Sequence, residues 1–218
     1  MTAPTPLSVR PNDGRDLIVY VDGFNLYHGL HEKYGRAKLW LDLVALARSL
    51  RPESKLAQVK YFTAPVMGDP GALSRQMTYQ KALLAKNPGL VTIVSGRYQS
   101  KSTQCRHCGH QYTRYEEKET DVNIAVALVA DTLSHACADA LVVSADSDLA
   151  PAIRAIRERT PGVYIAAAFP PKRFSADLKA LMPSSFHLGA SKISKAQLPE
   201  HVVDAETGII YTRPPKWN

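Results

Sequence analysis

The chain has 218 residues, 45% hydrophobic and 22% charged, with a formal charge of +7. That is the profile of a soluble globular protein, long enough for one α/β domain with appendages and a proper core. No apolar run approaches the roughly 20 residues of a membrane span, and three cysteines are too few for a disulfide framework, which points to a reducing, cytoplasmic setting.

The opening residues MTAPTPLSVRPNDGR lack the apolar segment of a secretory signal and read as a disordered lead-in over 1–15. Strand-like runs rich in Val, Ile and Tyr then fall at 17–22 (LIVYVD), 57–65 (AQVKYFTAP), 91–98 (VTIVSGRY), 140–145 (ALVVSA) and 163–169 (VYIAAAF). Several are apolar throughout, as strands covered on both faces must be. Helical patterns separate them at 24–34, 42–50, 70–86, 120–135, 148–159 and 174–181. The segment 99–118, QSKSTQCRHCGHQYTRYEEK, lacks periodicity and is expected to be a polar, basic loop inserted before the 120–135 helix. Residues 190–218 read as a C-terminal extension, an arm without an assigned role. The alternation predicts one domain over 16–189, of the α/β class, with a mostly parallel sheet and helices on both faces. In such sheets ligands collect beyond the carboxyl ends of the strands.

Four aspartates fall at those ends. Asp22 closes the first strand in VYVDGFN, Asp146 and Asp148 follow the fourth in LVVSADSD, and Asp121 opens the helix leading into it. Brought together, they would raise one another's pKa values. A hard divalent cation such as Mg²⁺ or Mn²⁺ removes that repulsion and leaves room for a phosphate oxygen. Taken singly, Asp121 and Asp148 read equally well as helix-capping or dipole-matched residues, and Asp146 as a turn residue. Within 120–135, Val122, Val126, Val129 and Leu133 are expected to form the buried stripe. Asp131, about 15 Å along the helix from Asp121, and Asp139 are expected at the surface.

The positive charge is concentrated. Residues 71–118 hold Arg75, Lys81, Lys86, Arg97, Lys101, Arg106, Arg114 and Lys118 against Glu116 and Glu117 only, interleaved with Tyr79, Tyr98, Tyr112 and Tyr115. Cations for phosphates and rings for stacking suit single-stranded nucleic acid, and a solvated basic surface is the plain alternative. Within this stretch Cys105-Arg-His-Cys108-Gly-His110 has the spacing of half a zinc site, with no second pair. Three readings stand open: a structural Zn²⁺ completed by His110 and a distant or second-subunit ligand, a turn with two reduced thiols, or a redox pair. The turn is the favoured one.

VDGFNLYHGL, EKETDVNIAVALVAD and LVVSADSDLAPAIRAI resemble, in order, the three motif blocks of NYN domains, PIN-like ribonuclease relatives that include LabA-like proteins. The likeness covers roughly residues 16–170. The resemblance implies a PIN-like three-layer α/β/α sandwich, a central mostly parallel sheet and Mg²⁺- or Mn²⁺-dependent RNA cleavage. By position Asp22, Asp121, Asp146 and Asp148 match the family's acidic residues, Asn25 the Asn of its first block, and Ser144 the hydroxyl residue before the Asp pair. Asn25 is then expected to orient a water or bind the scissile phosphate, and Ser144 to hold a carboxylate in place. The alternatives are an N-cap at Asn25 and a satisfied strand-end hydroxyl at Ser144. The expected function is an endoribonuclease holding single-stranded or structured RNA through Arg75, Lys81, Arg97, Tyr98, Lys101, Arg106, Arg114 and Lys118. A catalytically silent nucleic-acid-binding module and a small-molecule phosphohydrolase are the alternatives. No membrane partner is expected, and a homodimer is left open.

Overall fold

The computed structural model describes residues 16–104 and 106–217, with backbone alone at 101 and 113–117. The expected lead-in over 1–15 and Cys105 lie outside the described residues. In chain order the elements are β1 (Asp16–Asp22), α1 (Gly23–Tyr34), α2 (Leu43–Leu50), β2 (Lys55–Thr63), α3 (Pro70–Lys86), β3 (Val91–Ser95), β4 (Arg97–Gln104) and β5 (Gln111–Lys118). There follow α4 (Thr120–Leu133), β6 (Asp139–Val143), a 3-10 turn (Ser147–Leu149), α5 (Ala150–Arg159), β7 (Tyr164–Phe169), α6 (Ala176–Leu181) and β8 (Phe186–His187). The C-terminal part forms α7 (Ala190–Lys195), β9 (His201–Val203), β10 (Ile210–Thr212) and a 3-10 turn at Pro215–Trp217.

Alternation along β1 sets the layers. Leu17, Val19 and Val21 face one apolar cluster, shared with α1, α2, α3 and the C-terminal part, whereas Ile18 and Tyr20 face another under α4, α5 and α6. A six-stranded sheet in the order β3-β2-β1-β6-β7-β8 separates the two, and each of its pairings is parallel. This is the three-layer α/β/α arrangement. From β1 the chain steps outward to β2 and β3, then returns to the far side of β1 at β6. The strand order therefore reverses between β1 and β6, and ligand crevices form at such reversals.

Four sequence expectations need correction. First, 99–118 is a two-stranded antiparallel ribbon, with Arg97 opposite Lys118 and Lys101 opposite Arg114. Its residues are polar on both sides, so the apolar period of two that marks a half-buried strand is missing. The run 91–98 is accordingly broken at Gly96 into β3 and β4.

Second, α4 buries Thr120, Ile124, Leu128 and Thr132, while Val122 and Val126 are each 62% exposed and Leu133 is 44% exposed. Val129 is only partly buried against the core. The helix is apolar on most sides, so periodicity could not rank its faces. Burying Ile124 and Leu128 is worth roughly 1.5–3 kcal/mol each, which enforces the choice.

Third, Asp131 is mostly buried: it accepts from the Tyr20 hydroxyl (2.8 Å) and pairs with Lys60 (2.6 Å). Fourth, Asp139 is fully buried, held by Arg51 (3.0 Å) and Ser54 (2.5 Å). Buried charges need partners, and these lie 71 to 111 residues away in the chain, where local reading cannot find them.

The C-terminal part is docked. Leu198 N–H donates to Trp40 O (2.9 Å), the Trp40 indole donates to Pro199 O (2.7 Å), and Trp217 packs edge-to-face on Trp40 and Tyr79 at 6.2 and 5.9 Å. No helix among the described residues is long and apolar enough to cross a membrane.

Gly23 seats the start of α1 against β2: a Cβ there would lie 2.6 Å from Phe62 O and 2.9 Å from the Tyr61 ring. Gly23→Ala should therefore destabilise the protein by about 1–3 kcal/mol in urea unfolding. An unchanged midpoint would show that the helix shifts freely.

Candidate metal centre

Asp22 ends β1 and is the N-cap of α1. Its Oδ1 accepts from Asn25 N–H at 2.9 Å, and its Oδ2 accepts from the Ser144 hydroxyl at 2.8 Å. Ser144, fully buried at the end of β6, also accepts from Asp146 N–H at 3.0 Å. Asn25 Oδ1 accepts from Ala145 N–H at 3.1 Å. Two of these four bonds, Ser144 to Asp22 and Ala145 to Asn25, latch the loop after β6 to the start of α1 across the strand reversal. Asp146 is itself a cap, accepting from Asp148 N–H at 2.9 Å at the start of the 3-10 turn. Neither Asp121 nor Asp148 is a side-chain cap: the 3-10 turn is capped by Asp146, and α4 starts at Glu119 without a side-chain cap, with Asp121 in its first turn.

Asp121 arrives from another direction. Glu119 adopts a left-handed conformation (φ 79°) as the N-cap residue of α4, without a side-chain cap, and is clamped by an ion pair to Arg97 at the base of the ribbon. A non-glycine residue in that region costs on the order of 1 kcal/mol and persists where surroundings over-determine it. The turn sets Asp121 in the first turn of α4, where the helix dipole favours a carboxylate.

The structure brings together Asp22, Asp121 and Asp146, with one carboxylate oxygen from each lying within 4.8 Å of the others. Asp22 is buried at 3% exposure, and Asp121 and Asp146 are partly exposed. Asp148 is exposed and stands outside this group. Burial pushes the Asp22 carboxyl above the usual range; Asn25 N–H and the Ser144 hydroxyl oppose the shift, and the neighbouring Asp146 charge adds to it. Three carboxylates at this spacing, one raised by burial, are a donor set that suits a hard divalent cation.

Phe24, His28 and Arg173 line the same recess with Asn25, and sequence reasoning had not singled them out. The signal existed for two of them. His28 sits one helical turn after Asn25, and Arg173 follows the carboxyl end of β7. Arg173 also pairs with Glu32 at 3.0 Å. A second cavity of about 400 Å³ adjoins the recess, sharing Phe24 and His28.

Of the expected RNA contacts, Lys81, Arg97, Arg106 and Lys118 are exposed, while Tyr98 and Arg75 are half-buried and line the second cavity. Arg75 approaches Asp69 at 3.9 Å. The side chains of Lys101 and Arg114 lie outside the described residues. Cys108 and His110 are exposed near the tip of the ribbon. Among the described residues the converging set of metal-ligating side chains is the Asp triad, and it includes neither of them.

Because burial raises the Asp22 pKa, protons should displace a divalent ion at higher pH than an ordinary carboxylate would allow. Mn²⁺ affinity measured by calorimetry should fall with falling pH, and the fall should begin above the usual carboxylate range. A fall confined to the usual carboxylate range would contradict a raised Asp22.

Known proteins resemble this chain. The chain is 26% identical to the 6-hydroxy-3-succinoylpyridine 3-monooxygenase HspA of Pseudomonas putida, over 91% of this chain and 74% of that protein. It superposes on the crystal structure of a protein of unknown function from Vibrio parahaemolyticus with a TM-score of 0.58 and 16% identity, covering 84% of this chain and 98% of the other. That likeness speaks for the fold alone. The NYN domain family model matches residues 16–188, a span that carries the whole six-stranded sheet and all three converging aspartates, and the chain therefore belongs to the NYN domain family, within the PIN-like nuclease superfamily.

Proposed function

We infer that the protein is an endoribonuclease that hydrolyses RNA phosphodiester bonds at a divalent ion held by Asp22, Asp121 and Asp146. The observation that carries this is the convergence of three carboxylates at the strand reversal of a NYN domain. A bound Mg²⁺ or Mn²⁺ would polarise the phosphodiester and favour water attack and departure of the leaving oxygen.

The chain's own residues do the rest. Asp22 is fixed in orientation by two donors, so its carboxylate needs little reorganisation to accept an ion. Asn25 lines the recess with its Oδ1 engaged by Ala145 N–H, which leaves the amide nitrogen as the end to donate to a phosphate oxygen. His28 and Arg173 supply further donors at the rim. Asp148 enters through its backbone N–H, which fixes Asp146; its own carboxylate is a lesser contributor. The basic ribbon, with Arg97 opposite Lys118 at its base, offers cations for phosphate contacts. Cys108 and Cys137 are free thiols, in keeping with a reducing cytoplasm.

Asp146→Asn should reduce cleavage of labelled RNA by on the order of 100-fold or more. It should keep the Asp148 N–H cap, and hence folding and salt-sensitive RNA binding. Asp148→Asn should be milder. Chelator should abolish wild-type cleavage, and Mg²⁺ or Mn²⁺ should restore it. Wild-type rates in Asp146→Asn would remove the site. Salt-sensitive binding without cleavage under any metal would favour a silent nucleic-acid-binding module, and turnover of a sugar phosphate with indifference to RNA would favour a small-molecule phosphohydrolase.

A second reading follows from the relative named as a monooxygenase of a substituted pyridine. The observation favouring it is the cavity next to the acidic recess, of a size for one small ring compound. Oxygen-dependent hydroxylation of a free pyridine by the purified chain, given a two-electron reductant that takes the second oxygen atom to water, with RNA untouched, would establish it instead.

A further inference from the structure

The second cavity is built rather than left over. It measures about 400 Å³, within the roughly 300–1,000 Å³ of small-ligand sites, and it opens to solvent beside Tyr27, His28 and Arg36. Tyr61, Tyr79 and Trp217 wall it, each less than a tenth exposed, while Tyr27 at 41% and half-buried Tyr98 stand nearer solvent. The wall is rigid: Tyr79 donates to Leu41 O at 2.8 Å and packs edge-to-face against both Tyr61 (6.2 Å) and Trp217 (5.9 Å). Preformed ring faces are what an unstacked base uses as a platform, whatever its sequence.

Position and charge narrow the occupant. Gly23 and Phe24 line the cavity and directly follow Asp22, and Phe24 and His28 also line the acidic recess. A ring in this cavity thus carries its substituent toward the three aspartates. Arg36 and His28 are exposed at its edge, and Arg75 and Asp69, which approach each other at 3.9 Å, both line it; the Arg36 guanidinium suits an anionic substituent. Trp217 lies beyond residues 16–188 matched by the family model, so the C-terminal part completes a wall that the domain alone leaves open.

We propose that this cavity is a subsite for one planar heteroaromatic ring bearing an anionic group, namely the base of a single unstacked nucleotide adjoining the scissile phosphate. The proposal rests on the ribonuclease reading for its source of nucleotides, and its first test does not depend on cleavage. The full chain, held in chelator, is titrated calorimetrically with the four ribonucleoside 5′-monophosphates, with ribose 5-phosphate lacking a base, and with pyridine-3-carboxylate as a free ring acid. At least one nucleotide should bind saturably and ribose 5-phosphate should not. Trp217→Ala, and Ala72→Trp, which fills the cavity from α3, should each weaken that binding on the order of ten-fold. Mn²⁺ affinity at the aspartates should be unchanged in both, and circular dichroism confirms folding. In RNA the two variants should alter which bonds are cut. Tyr98→Ala, on the less buried wall, serves if either variant fails to fold. Binding of pyridine-3-carboxylate without any nucleotide, or equal binding of ribose 5-phosphate, overturns the proposal, as does nucleotide affinity indifferent to all three substitutions. Base-dependent binding together with no RNA cleavage by the wild-type chain under any metal would instead sink the ribonuclease reading and leave the subsite standing.

Discussion

The hydrogen bond from the Ser144 hydroxyl to the Asp22 carboxylate, 2.8 Å long and wholly buried, is the constraint on which the site depends. It crosses from β6 to β1 at the place where the strand order reverses. The same Ser144 oxygen accepts from Asp146 N–H, so one hydroxyl holds both the Asp22 carboxylate and the backbone that carries Asp146. A buried carboxylate with one anionic neighbour is costly, and two well-placed donors reduce that cost without cancelling it. What remains is a raised affinity for positive charge, in protons or in a divalent ion. The destabilisation built into Asp22 and the proposed chemistry are the same physical fact.

Helix capping and the proposed metal ligation are also joined here. Asp22 and Asp146 each give one oxygen to a backbone N–H at the start of a helical turn, which restricts the carboxylate's rotation. Asp121 uses a different device, a left-handed Glu119 braced by Arg97. The basic ribbon thereby does more than offer cations: its base is part of what holds the third carboxylate.

The parallel sheet was legible because its strands are covered on both faces and read as continuous apolar runs, LIVYVD and ALVVSA above all. Helix α3 falls at 70–86 as expected, since Asp69 caps it and Pro70 opens it. What failed to show had physical causes. The β4–β5 ribbon is polar on both faces, and α4 is apolar on too many. Asp131 and Asp139 find their cations on strand-distant Lys60 and Arg51. The site was legible to the extent that strand ends are. Asp22 and Asp146 follow directly from the sheet, but the exclusion of Asp148 is a matter of one short turn's geometry. The aromatic cavity was hidden because Tyr61, Tyr79 and Trp217 come from three separate parts of the chain and read singly as ordinary core residues.

The central claim, that three aspartates at the strand reversal hold a divalent ion, is tested most directly by anomalous X-ray scattering from crystals soaked in Mn²⁺. A peak bounded by the carboxylates of Asp22, Asp121 and Asp146 is the predicted result. Full Mn²⁺ occupancy elsewhere, at Cys108 and His110 for instance, with no peak among the aspartates, would contradict it.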